Sequence, residues 1–199
     1  MSKHNVFISY HHYNDQYYKE ELIELNKKYN IFIDQSVYTG DINENLGDQI
    51  IREKIRDEYL KDSTVTILLV GTETKNRKHI DWELYSSMYN GRINKKSGIL
   101  VINLPTIQGT IHAAHGEQGN YPDTKWTTLK YRTEYEERHP YLPERIIDNL
   151  LNPEAKISVT NWGDIKNNPY FLSELIDKTF SSKSTNSYDL SREMRKNNS

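Results

Sequence analysis

No cysteine occurs among the 199 residues, which excludes disulfide staples, thiolate metal sites and a cysteine nucleophile. Glycine is sparse, nine in all. No Gly-rich loop follows any strand-like run, so the dinucleotide fingerprint and the P-loop are both absent. A G-x-S-x-G nucleophile elbow is missing as well. No apolar run approaches the length of a bilayer span, and the first residues carry no signal-peptide core. A concentrated basic face is lacking too. The 26 Lys and Arg are interspersed with 28 Asp and Glu, for a net charge of −2, which gives no electrostatic footprint for nucleic acid. These absences set the expectation of a cytoplasmic protein with neither nucleic-acid nor membrane partners.

What is present suits one α/β domain. Hydrophobic residues make up 35% and 15 tyrosines add apolar area, enough for a substantial core at this length. Short β-rich runs recur at Asn5–Ser9, Ile31–Ile33, Thr64–Val70, Gly98–Asn103 and Ala155–Val159. Between them lie helical patterns over 15–29, 46–60, 81–90, from Pro143 onward, and 169–180. The first shows Tyr18, Leu22, Leu25 and Tyr29 at spacings of four, three and four, one stripe of a helix. Strand–helix alternation with unbroken apolar runs predicts a mostly parallel five-stranded sheet covered on both faces.

Residues 1–180 are expected to form this domain, with a loop insertion at about 105–142. Its first part, 105–126, holds three Gly, two Pro and two His and reads as irregular. Within it, His112 and His115 are better read as loop histidines than as a metal pair. The polar, Ser/Asn/Lys-rich stretch 181–199 reads as a mobile tail.

Ligands bind open α/β sheets at the carboxyl ends of the strands. Three such ends supply Ser9, Tyr10 and His11; Asp34 and Ser36; and a polar loop running to Trp82 and Glu83. Hydroxyls, aromatic rings and two carboxylates suit a sugar with vicinal hydroxyls and a flat base. A carboxylate there can stabilise positive charge at an anomeric carbon, the demand of N-glycosidic cleavage. The plainer readings stand beside it. Asp34 suits a turn cap, and Glu83 suits the first turn of a helix on dipole grounds alone.

Val6-Phe7-Ile8-Ser9-Tyr10 followed by Asp15 resembles the first box of TIR domains, and 38–47 stands where the TIR BB loop stands. Gly71 to Thr74 together with Asp81-Trp82-Glu83-Leu84 is similar to the TIR-like branch that includes ThsB-type proteins of Thoeris antiphage defence. The resemblance covers 3–104 well. It implies a TIR/flavodoxin-like three-layer fold and cleavage of NAD+ at the nicotinamide bond, with Glu83 as the catalytic residue. Ser9, Tyr10, Asp34, Ser36 and Trp82 are then the NAD+-binding set, with no metal and no cofactor beyond NAD+ as substrate. It further implies an ADP-ribose-derived signal that activates a separate effector, a phage-derived trigger, and room for homo-oligomers. One departure is His79, where many members carry Trp.

Two alternatives stay open. One is a non-catalytic TIR-like module assembling through 38–47. The other is a nucleoside deoxyribosyltransferase-like enzyme with the same N-glycosidic chemistry on a different substrate.

Overall fold

The computed structural model describes residues 3–36, 46–91, 94–107 and 129–198. His112, His115, most of the loop 38–47 and the bulk of the insertion fall outside them. Five strands form one sheet: β1 (Asn5–Ser9), β2 (Ile33–Asp34), β3 (Val65–Val70), β4 (Gly98–Asn103) and β5 (Ser158–Asn161). Their order is β2-β1-β3-β4-β5, and every ladder is parallel. All residues of β3 and β4 are buried, which is why their apolar runs do not alternate with polar residues.

One face of the sheet carries α1 (His12–Tyr29), α6 (Trp162–Asn167) and α7 (Pro169–Ser182), packed on Val6, Ile8, Ile67 and Leu69. The other carries α2 (Asp48–Lys54), α3 (Lys78–Met88), α4 (Arg132–Arg138) and α5 (Glu144–Leu151), packed on Phe7, Leu68 and Val101. The result is the three-layer α/β arrangement of TIR and flavodoxin-like folds. Strand pleating decides the side: Val6 and Ile8 point one way, Phe7 and Ser9 the other. That parity puts Ser9 under the α3 layer.

Element boundaries shift in places. Helix α3 begins at Lys78 rather than Asp81, and α2 continues as a wider turn over Ile55–Tyr59. β5 lies at Ser158–Asn161. Part of the expected insertion is helical: α4 buries Tyr135, whose hydroxyl donates to the Leu150 carbonyl at 3.3 Å.

The polar stretch expected as a mobile tail is placed against the domain. Residues 183–198 lie along α5 and α3 as a strap held by paired backbone groups. Asn149 brackets Asp189, accepting from its N–H at 2.7 Å and donating to its carbonyl at 3.1 Å. Asn186 accepts from the Lys156 N–H at 3.0 Å. Arg192 forks onto Asp148 at 2.6 and 3.1 Å. Met194 buries itself beside Phe7, Ile51 and Trp82. A polar composition suggests disorder because little apolar surface is available to offset chain entropy. Here buried side chains satisfy the segment's own N–H and C=O groups, and Met194 supplies an apolar anchor.

Candidate functional site

The site is built where β1 and β3 part. In this strand order the chain reverses direction across the sheet between those two, leaving a crevice at their carboxyl ends. Ser9 is the last residue of β1 and pairs in register with Leu68. Glu83 sits in the second turn of α3, directly above. The Ser9 hydroxyl donates to Glu83 Oε2 at 2.6 Å, and the residues are 1% and 3% exposed. A buried carboxylate requires such donors, since desolvation otherwise favours its neutral form. The two residues that strand-end reasoning brought to one rim are in direct contact.

The loops after β1 and β3 face each other around this pair. His11 caps α1, its Nδ1 accepting from the Asn14 N–H at 3.3 Å. Burial and then the Arg77 charge hold its pKa below the ordinary imidazole range. His12 is lowered as well, by burial first and then by His11, Lys19 and His79. His79, in the first turn of α3, stands edge-on to Trp82 at 5.0 Å. Three imidazoles, from the start of α1 and the start of α3, thus stand on one rim.

Asp15 is the acid that strand-end reasoning passed over. It lies in the first turn of α1, 2% exposed, with Oδ2 unpartnered, and desolvation pushes its pKa up to about 6. Its carboxyl group presses against Gly71 at the end of β3, where a Cβ would come within 2.5 Å of Oδ1. Only glycine leaves that space. The first box contains Asp15, but its burial depends on Gly71, 56 positions away in a different loop, and no local pattern announces it.

The other expected site residues are placed as follows. Tyr10 turns to the opposite face of the sheet, 8% exposed, its hydroxyl donating to Gln16 Oε1 at 2.6 Å. Asp34 is exposed on the edge strand, and its Oδ1 accepts from the Ser36 N–H at 3.0 Å, an Asx turn. The Ser36 hydroxyl accepts from the Ile8 N–H at 3.2 Å, extending the edge of β1 past the end of β2. Trp82 is 4% exposed among Phe7, Ile51, Ile55, Leu60 and Met194, with its indole N–H on the Arg195 carbonyl at 2.8 Å. In these positions Trp82 packs α3 against α2 and the strap.

Residues 7–108 match the family described as Thoeris protein ThsB, TIR-like domain. The chain belongs to this family. The matched stretch of this ThsB-type TIR-like protein contains the end of β1 and all of β2 through β4, and with them Ser9, Asp15, Gly71 and Glu83. It stops short of α5 and the strap. No curated protein sequence matches this ThsB-type chain.

Among the described residues of the TIR-like protein, no group of three or more His, Asp or Glu is placed to hold a metal ion. No helix among them is long and apolar enough to cross a membrane. Two surface clefts, of about 200 and about 290 Å³, flank the strap. The first is lined by Lys75, Asp81, Glu144 and Arg195, and the second by Arg52, Tyr85 and Met194 among others. Both follow the strap rather than the Ser9–Glu83 pair.

Proposed function

We propose that this Thoeris TIR-like protein cleaves NAD+ at the bond between nicotinamide and ribose, with Glu83 as the catalytic residue. The observation that carries this reading is the buried Ser9–Glu83 contact of 2.6 Å at the β1/β3 crevice. Glu83 is there a carboxylate held by a hydroxyl, and a ribose hydroxyl can take the place of that donor. Nicotinamide departs as a neutral molecule with the bonding electron pair. Positive charge then builds at the anomeric carbon, and the carboxylate stabilises it. A nucleophile attacks that carbon and loses a proton, giving ADP-ribose with water or a cyclic or conjugated product with another acceptor. The product is a diffusible signal for a separate effector in antiphage defence. Around this pair, Asp34 ends β2, Ser36 follows it and His79 lies in the first turn of α3, while Tyr10 packs on the other face of the sheet.

The test is nicotinamide release from NAD+ by the purified protein, with phage-infected lysate as trigger. Glu83→Gln keeps the side chain's size and removes its charge, and release is expected to fall at least about 100-fold. Equal release by the variant and the wild type overturns the assignment. Loss of antiphage protection on substituting 38–47, with Glu83→Gln still protective, would instead support a scaffold without turnover.

A further inference from the structure

Helix α3 is held by acids on two opposite sides. Residues two apart on a helix point about 200° apart, so while Glu83 reaches the sheet at Ser9, Asp81 reaches outward to α5 and the strap. Asp81 is 7% exposed and meets a fully buried guanidinium. Arg145 donates from Nε to Oδ1 at 2.8 Å and from Nη2 to Oδ2 at 3.0 Å. The Arg195 N–H donates to the same Oδ2 at 2.8 Å. The remaining Arg145 donors go to the strap: Nη1 to the Arg192 carbonyl at 3.0 Å and Nη2 to the Glu193 carbonyl at 3.1 Å. Its plane also lies 4.8 Å from the Tyr85 ring. Arg145 therefore has its full set of partners only with the strap in place.

The strap also caps the helix. No α3 residue caps its own N-terminus by side chain, and Arg77 at the cap position makes no such bond. Asn198 Oδ1 accepts from the Lys78 N–H at 2.9 Å instead, doing for α3 what an N-cap side chain does locally. The Trp82 indole is tied to the strap through Arg195. Four consecutive contacts, at Lys78, Asp81, Trp82 and Tyr85 (the last through Arg145), thus run along the helix that carries Glu83.

We infer that Arg145 and the strap residues 189–198 are positioning elements for Glu83, fixing the roll of α3 about its axis. The inference rests on the proposed role of Glu83. A helix with its side chains has a radius of roughly 5–6 Å, so a roll of about 10° displaces the Glu83 carboxylate by about 1 Å. Displacements of that size cost catalytic sites on the order of 100-fold. The Ser9 hydroxyl does not by itself oppose such a roll, because a hydroxyl can follow a moving carboxylate. The Asp81–Arg145 fork, with two parallel bonds in one plane, does not follow.

The experiment uses the full chain. Arg145→Lys keeps the charge and removes the fork. It is expected to lower kcat for nicotinamide release by about 10- to 100-fold with KM within about twofold, while the folded fraction stays constant by circular dichroism. Asn198→Ala, at an exposed position, should leave the folded fraction unchanged and shift the same readouts in the same direction by less. An activity-independent readout is the Glu83 side-chain carboxyl carbon resonance, assigned by its loss in Glu83→Gln. Both variants should move it, together with the Trp82 indole N–H signal. The inference is overturned if the Glu83 resonance stays in place in both variants, or if kcat falls only as far as the folded fraction does. Should the wild type release no nicotinamide, the proposed reaction fails. The resonance still decides the strap's role.

Discussion

Asp81 and Glu83 are both buried carboxylates on one helix, separated by one residue, yet their surroundings differ in kind. Asp81 meets an arginine fork and a backbone N–H, a set of charge-assisted bonds that leaves it fully occupied. Glu83 meets a serine hydroxyl. The first arrangement fixes architecture, because removing either charge strands the other. The second suits an exchange of partners, because an incoming hydroxyl offers the same bond that Ser9 does. Burial by itself therefore does not mark a catalytic acid; the identity of its donor does.

The largest effect should come from breaking the architectural acid. Asp81→Ala leaves Arg145 buried without its counter-charge and is expected to cost about 3–5 kcal/mol in urea unfolding. Glu83→Gln should change stability by less than about 1 kcal/mol, since its amide oxygen still accepts from Ser9. If the two variants lose equal stability, the contrast between the acids collapses. Ser9→Ala comes next. It takes a donor from a buried carboxylate and should cost about 1–3 kcal/mol, with nicotinamide release reduced in the same variant but not to the level of Glu83→Gln.

The smallest effect sharpens the contrast with a third acid. Asp15 has neither a fork nor a partner for Oδ2, and its pKa is pushed up to about 6 from about 4. The folded state therefore binds the proton more tightly than the unfolded one. Stability from this group is present below about pH 4 and lost as pH rises through 6. Asp15→Asn should accordingly be at least as stable as the wild type in thermal unfolding at pH 7.5. That advantage should shrink as pH falls from 6 to 4. A difference that stays constant over this range would mean that the Asp15 carboxyl is not titrating there.

The three residues differ in how visible they are from sequence. Glu83 and Ser9 lie just beyond or at the ends of strands whose apolar runs are unmistakable, so strand-end logic brings them to one rim. The same logic is blind to side-chain direction past the strand, which is why Tyr10 turns to the other face and Trp82 into the α2 layer. Nothing local marks Asp81 as a buried acid, because its partner Arg145 is 64 positions distant, in the helix that follows Pro143. The polar composition of 181–199 suggests a mobile tail for a related reason. Hydropathy registers what a segment buries of its own, and this one is held largely by the buried side chains of other elements. The central strands were legible because they are held by what they themselves contain.

The strap's grip has a consequence for descent. Arg192, Glu193 and Arg195 are engaged through carbonyl oxygens and an N–H, atoms that nearly every amino acid possesses. Selection can thus let the exposed Glu193 side chain drift while holding Asp81, Arg145 and Trp82, the groups that read the backbone, whereas Arg192 is held by its side chain on Asp148 as well. Related chains are expected to follow the same path over α3, with substitutions gathering at the positions held only through their backbone and fewer at 186, 192, 194 and 198, where side chains make the contact.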